Sequence, residues 1–187
     1  MLITVSMSRL MHARHHSPSL TEVTCAAALA SAGHLTRLDC LVLEELSLEA
    51  VPAGDLASLA RCVRGVEAVH LDSARGSLEP VLSNISCTWL TLDSMTLTTA
   101  DTRSLVAALD RGVRHLDLGG SVGVSLDMET LAGYSGRGEC ERVQLLGPGH
   151  MTERYRGRVA AWARDIGWRL LAGWAGEDYW IEISRCG

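Results

Sequence analysis

Apolar residues in the middle of the chain change from a strand-like to a helix-like spacing within one stretch, residues 87–112. The stretch opens with the spacing C-x-x-L-x-L-x-x-M-x-L from Cys87 to Leu97, and such alternation predicts a β-strand. The polar segment TTAD then predicts a turn, and the spacing of Ser104–Leu109 predicts a short helix. Gly112 follows, where a glycine suits the left-handed conformation that ends many helices. The stretch therefore predicts a strand–turn–helix unit.

The same unit recurs along the chain. Leu38–Leu48 matches Cys87–Leu97 without a gap, and shorter copies of the strand spacing begin at Leu2, Val66, Val113 and Cys140. Ser19 and Glu22 have the spacing of a capping box at a helix start. Helical spacing follows each strand, and in the Leu38 unit a turn at Pro52 precedes the helix. The predicted helices span residues 20–32, 55–63, 78–85, 104–109, 126–134 and 152–166.

The units from Leu38 onward begin 21 to 28 residues apart, and a longer loop separates the first unit from the second. This period with an L-x-x-L-x-L core is typical of leucine-rich repeats, in which neighbouring units bury each other's apolar faces. The sequence resembles that family, and most closely the ribonuclease-inhibitor subclass found also in NOD-like immune receptors. The resemblance implies a short α/β solenoid (a horseshoe) with a parallel sheet on the concave side and helices on the convex side.

The sequence departs from the family at the position after each strand. The family usually has Asn or Cys there, where the side chain bonds the backbone of the next unit. This chain instead has Leu46, Ala74, Met95, Ser121 and Pro148. The resemblance therefore implies divergent repeats without that ladder, in a single domain over residues 1–187.

The last twenty residues leave the repeat pattern. Alternation at Trp168 and Leu170 and again from Tyr179 to Ile183 predicts a hairpin, in which a final strand is followed by a returning edge strand. We expect residues 168–187 to cap the open end of the stack, as terminal repeats commonly do, with Trp174 and Trp180 covering the core. The alternative is an aromatic patch that binds a partner.

Residues between the buried strand positions are expected on the concave face. They are Thr4, Ser6, Cys40, Val42, Ala68, His70, Trp89, Thr91, His115, Asp117, Arg142, Gln144 and Arg169. The alignment places Trp89, His115 and Arg142 in one row, and His70, Thr91, Asp117 and Gln144 in the next. Adjacent strands lie about 4.8 Å apart, so these seven side chains are predicted to form one partner-binding patch. The alternative is an ordinary mixed polar sheet surface.

Composition limits the classes of function. All 17 basic residues are Arg, which excludes a P-loop lysine and a lysine Schiff base, and the net charge of −5 does not favour nucleic acid or anionic lipid. The six cysteines contain no C-x-x-C pair, and Cys87 and Cys140 occupy apolar repeat positions, which predicts buried thiols. Neither a signal-peptide pattern nor an 18-residue apolar run is present, so we expect a cytoplasmic protein.

Three other kinds of site have weak sequence support. His12, His15 and His16 lack further ligands at a usable spacing, so no metal site is predicted. The glycines of Gly119–Gly123 resemble a phosphate-binding loop, but a repeat turn explains them better. His115, Asp117 and Ser121 could be grouped as a triad, although no nucleophile elbow accompanies them.

These observations favour a non-catalytic module that binds a partner protein on its concave sheet, without cofactor, metal, nucleic acid or membrane. The resemblance implies roles such as an inhibitor or the sensing part of an immune receptor, and the chain could be one part of a larger receptor. Two alternatives stay open. One is a small α/β switch domain with a mixed sheet, similar to anti-sigma antagonists, and the other is a hydrolase that uses His115 and Asp117.

Overall fold

The computed structural model is a mixed α/β structure whose strands form one eight-stranded sheet, among the residues it describes. The described residues are 2–6, 40–44, 48, 60, 63–64, 66–120, 122–148 and 151–186. The strands are β1 (Leu2–Ser6), β2 (Cys40–Glu44), β3 (Ala68–Asp72), β4 (Trp89–Asp93), β5 (His115–Leu118), β6 (Arg142–Pro148), β7 (Trp168–Ala175) and β8 (Asp178–Arg185). The helices are α1 (Glu79–Leu82), α2 (Thr99–Arg111), α3 (Val122–Ser125), α4 (Met128–Leu131) and α5 (Glu153–Asp165).

Strands β1 to β6 are parallel and lie side by side in chain order. Equivalent positions of the predicted units are directly paired, so that Val69 is beside Leu90, Leu90 beside Leu116, and Leu116 beside Val143. Because side chains alternate across a strand, this register places all equivalent apolar positions on one face. The predicted recurrence of strands is therefore confirmed for all six.

The core lies between that face of the sheet and the helices. Leu90, Leu92, Leu116 and Leu118 are fully buried in it, and α2 contributes Leu105 and Leu109 among its buried residues. Cys87 and Cys140 are buried in the same cluster, as predicted. Burial raises the pKa of both thiols to about 12, so they remain protonated and act as small apolar groups.

Helix α2 begins five residues earlier than predicted. The segment expected to be a turn is its first turn, with Thr98 as the N-cap and Asp101 completing a capping box. Threonine and aspartate three residues apart are a helix-start signal that the apolar spacing does not register. The helix ends at Gly112, whose φ of +133° confirms the expected positive-φ conformation.

The helix predicted over residues 126–134 is shorter than expected, since only α4 lies in that range, and a separate short helix, α3, precedes it where the turn was predicted. Asp127 separates them because its carboxylate accepts hydrogen bonds from the backbone N–H groups of Glu129 and Thr130, which makes it the N-cap of α4. The two other helices predicted within the described residues, 78–85 and 152–166, are close to α1 and α5. Pro80 lies in the first turn of α1, and Thr152 caps α5, which buries Val159, Trp162 and Ala163.

The C-terminal hairpin is present, but its strands enter the sheet in the reverse of the expected order. Strand β8 pairs antiparallel with β6, and β7 lies outside β8 at the edge. The expectation that Trp174 and Trp180 cover the core together is wrong. Trp174 is paired with Tyr179, so Trp180, the next residue, points to the opposite face, and Trp174 is 59% exposed.

The turns that follow β3, β4 and β5 share one backbone conformation. Ser73 and Ser94 follow the strand ends Asp72 and Asp93, and both have a φ of +53°. The register of β4 and β5 makes Gly120 the equivalent residue, and its φ is +57°. Because these three turns need a positive φ at the same position, glycine is well suited to position 120.

Some predictions concern residues outside the described ranges. They are the histidines 12, 15 and 16, the capping box at 19 and 22, the helix at 20–32, most of the helix at 55–63, and Ser121. Within the described ranges, none of the helices combines the length and apolarity needed to span a bilayer.

Candidate interaction site

The seven residues predicted to form a patch lie together on the face of the sheet opposite the helices, called here the open face. Pairing across β4, β5 and β6 sets Trp89 beside His115 and His115 beside Arg142. Pairing across β3 to β6 sets His70, Thr91, Asp117 and Gln144 side by side in the next row. We call these seven residues the open-face patch.

Trp89 forms the centre of the patch with two neighbours. Its ring lies on the His115 imidazole with centroids 4.1 Å apart and the planes tilted by 30°. The guanidinium carbon of Arg142 lies 5.2 Å from the centroid of the Trp89 ring, within the range of a cation–π interaction. Trp89 is nevertheless 40% exposed, so a large aromatic surface is held in a defined position at the protein surface.

Acidic residues surround the two basic members of the patch. Glu182 on β8 lies 3.9 Å from an Arg142 nitrogen, and Glu141 lies 3.9 Å from Nε2 of His115. Desolvation is the largest influence on the pKa of His115 and lowers it, Glu141 opposes this, and the cations Arg142 and Arg114 add to the lowering. The imidazole stacked on Trp89 is therefore neutral at pH 7.

Asp117 is a half-buried carboxylate in the second row. Desolvation raises its pKa, and Asp93 raises it further, whereas Arg142 and His70 act in the opposite direction. Protonation of Asp117 is therefore easier than for a carboxylate in water. The open face thus contains a carboxyl group with a raised pKa, that of Asp117, together with the imidazoles of His70 and His115.

Three nitrogen atoms in the patch are buried and have no hydrogen-bond partner among the described residues. They are Nε2 of His70, Nδ1 of His115 and Nε of Arg142. A buried polar group without a partner costs free energy, roughly 1–3 kcal/mol. The patch therefore has hydrogen-bonding capacity that the described part of the chain does not use.

Sequence analysis missed Glu182 and misplaced Arg169. We expected Arg169 on the strand next to Arg142, but β8 intervenes, so Ser184 is paired with Arg142 and Arg169 lies one strand further out. Alternation in β8 could have assigned Glu182 to the open face. Its position beside Gln144 depends on strand order, which alternation does not encode.

The geometry gives little support to the three other sites considered from the sequence, which are a catalytic triad, a phosphate-binding loop and a metal site. The nearest carboxylate to His115 in an ion pair is that of Glu141, and Ser121 lies outside the described residues. A Cβ on Gly119 would lie 2.8 Å from Oδ1 of Asp93, so the glycine loop faces a carboxylate, which would repel a phosphate. The described residues contain no cluster of three or more His, Cys, Asp or Glu side chains suited to a metal ion.

The sequence matches no protein-family model, and no curated protein matches it at a significant level.

Proposed function

We propose that this protein is a non-catalytic interaction module, a short cytoplasmic solenoid of divergent leucine-rich repeats that binds a partner protein on its open face. In that architecture the open face is the concave side of the sheet. The observation that carries the proposal is the exposed Trp89 ring, which stacks on His115 and lies within cation–π distance of Arg142.

Strand order supports the solenoid over the small switch domain. Six successive strands lie in chain order, parallel and without a shift in register, as expected when each unit stacks on the one before it. The repeated positive-φ residue after the strands, at Ser73, Ser94 and Gly120, is a second periodic feature. A mixed-sheet switch domain has no need of either regularity. Its resemblance to this chain is limited to the antiparallel hairpin at one end of the sheet.

The chemistry of the patch supports binding rather than catalysis. Tryptophan and arginine are enriched among residues that dominate the energy of protein interfaces. Here both are fixed by contacts within the sheet surface, so little side-chain freedom is lost when a partner binds. A partner that supplies hydrogen-bonding groups could satisfy Nε of Arg142 and Nδ1 of His115. A protein surface that offers carboxylate or carbonyl oxygens around an apolar or aromatic group fits this arrangement.

A quantitative pull-down tests the proposal. Tagged wild-type protein and a Trp89→Ala/Arg142→Ala variant are used to capture proteins from a lysate of the source cells, followed by quantitative mass spectrometry. We expect at least one protein that the wild type enriches reproducibly to fall about tenfold or more with the variant, as for loss of two interface hot spots.

The matched control is Arg154→Ala/Arg158→Ala, which removes two exposed side chains from α5 on the other side of the molecule. It should capture the same proteins as the wild type. Thermal midpoints of all three proteins should agree closely, because exposed substitutions usually change stability by less than about 0.5 kcal/mol. Equal capture by the wild type and the open-face variant would refute the assignment of the patch.

A further inference from the structure

Strand β7 is a long, apolar edge strand that is left uncovered on most of its length. Helix α5 buries Trp168 at its beginning, but Leu171, Ala172, Trp174 and Ala175 are exposed. Leu171 and Trp174 are 38% and 59% exposed, and with Trp89 they are the large apolar side chains most open to solvent in the described residues. The strand contains neither proline nor lysine, which commonly protect sheet edges.

The backbone of β7 also has free hydrogen-bonding capacity. Among the described strands β7 pairs with β8 alone, in a register that runs from Trp168 beside Arg185 to Ala175 beside Asp178. In an antiparallel pair, every second residue of a strand points its N–H and C=O away from the partner. An eight-residue strand therefore presents about four such residues to the outside, which is a template for one more strand.

We propose that β7 pairs with β7 of a second copy of this chain, antiparallel and about a two-fold axis that passes beside Ala172. The axis is perpendicular to the sheet, so the helices of both copies lie on the same side of one continuous sheet. A two-fold interface of this kind closes on itself and consumes the exposed edge of both copies.

The register follows from the sizes of the side chains. With Ala172 opposite Ala172 of the second copy, Trp174 faces Leu170 on the helix side, and Leu171 faces Gly173 on the open face. The Trp180 indole already covers Gly173, since a Cβ there would lie 3.0 Å from that ring. Leu171 of the second copy would therefore pack on the Trp180 indole that lies over Gly173. Each exposed apolar side chain thus meets a small or half-buried apolar residue.

A register centred one residue earlier, on Leu171, is less complementary. It would set Leu171 against Leu171 and Trp174 against Trp168, which is already buried in its own subunit. The exposed indole would then find no free apolar surface, because α5 contacts the strand at that end.

Charge complementarity agrees with the register centred on Ala172. Arg169, exposed on the open face, is then paired with Ala175 of the second copy and lies diagonal to the turn that carries Glu177. The two-fold axis creates this Arg169–Glu177 pair twice. Apart from these two residues and Asp178, the segment 168–178 has no charged side chain, so little opposes the approach.

Sedimentation equilibrium across a range of protein concentrations tests the proposal. The wild type should behave as a reversible monomer–dimer system. Leu171→Lys and Trp174→Lys should each raise the dimer dissociation constant about tenfold or more, because each puts a charge into an apolar contact. Trp89→Lys is the matched control, since it makes the same change at an exposed tryptophan on the open-face patch, and it should leave the dissociation constant unchanged.

A charge exchange tests the register and does not depend on burial. Arg169→Glu and Glu177→Arg should each weaken the dimer, and the double variant should restore it to near the wild-type value. A wild type that stays monomeric at all concentrations, a dimer insensitive to Leu171→Lys, or a double variant no better than the single ones would overturn the proposal. Because the pull-down variants lie on β4 and β6, failure of this dimer leaves the proposed partner binding unaffected, and the reverse also holds.

Discussion

At the residue scale, Asp101 links two neighbouring repeat units. It is fully buried, and one carboxylate oxygen accepts hydrogen bonds from the backbone N–H and the hydroxyl of Thr98 at 2.9 and 2.7 Å. The other oxygen accepts from the N–H of Leu78 at 2.8 Å and the hydroxyl of Ser77 at 3.2 Å, both in the preceding unit. This carboxylate therefore joins the N-terminus of α2 to the start of α1 in the preceding unit.

Asp101→Ala should therefore destabilise the protein much more than loss of an ordinary helix cap. It removes four hydrogen bonds and leaves the buried N–H of Leu78 without a partner, which should cost about 2–4 kcal/mol. Asp127→Ala is the matched control, because its carboxylate caps α4 by accepting from the N–H groups of Glu129 and Thr130, and its loss should destabilise the protein much less. Urea unfolding measures both, and equal losses would contradict the linking role of Asp101.

At the element scale, the apolar spacing does not predict the backbone conformation of the turns that follow β3, β4 and β5. This conformation recurs at Ser73, Ser94 and Gly120, although the residues differ. In the third of these turns, Gly119 and Gly120 make room for the Asp93 side chain of the preceding turn. The two glycines thus allow adjacent turns to pack closely, and this packing explains the glycines that resemble a phosphate-binding loop in the sequence.

Gly120→Ala should destabilise the protein by about 1–3 kcal/mol, for two separable reasons. The positive φ disfavours any side chain, and the new Cβ would lie 2.8 Å from Oδ1 of Asp93. Gly176→Ala is the matched control, because Gly176 has a φ of +66° with nothing within 4 Å, so it isolates the backbone part. In a thermodynamic cycle, Asp93→Ala should remove most of the excess cost and leave the smaller part due to the Ser94 backbone N, 3.2 Å from the new Cβ. An excess cost that does not fall in the Asp93→Ala background would place the strain elsewhere.

At the scale of the whole molecule, the hairpin and the parallel strands share one core. Ile181 and Ile183 of β8 are buried beside Leu145 and Val143 of β6, in the same cluster that contains Leu90 and Leu92. The sheet thus continues from the parallel part into the hairpin without a break in its buried face. Such continuity is expected of a single cooperative domain.

Ile183→Ala should lower the unfolding free energy by about 2–5 kcal/mol, as for other large-to-small changes in a packed core. Leu90→Ala in β4 is the comparison, at the opposite part of the same core. Both variants should unfold in one urea transition that circular dichroism and tryptophan fluorescence report at the same midpoint. Two separate transitions in the Ile183→Ala variant would show that the hairpin is an independent unit.

Sequence alone predicted the six repeat strands, the two hairpin strands and the composition of the open-face patch, for one physical reason. Apolar alternation fixes which side chains face a core, and the equivalent position within each unit fixes which residues become neighbours. Trp89, His115 and Arg142 occupy one such position and are paired as one row. The patch's role in binding remains a prediction.

Tertiary structure decided what alternation does not encode. Residues of the hairpin alternate in the same way whichever strand is inside, so only the packing of Ile181 and Ile183 against β6 brings Glu182 to Arg142 and leaves β7 at the edge. The start of α2 is different, because the capping box of Thr98 and Asp101 is a local sequence signal that apolar spacing alone does not register. The local sequence pattern determined the repeating unit. Contacts between distant parts of the chain determined the order of the hairpin strands and the surfaces that remain exposed.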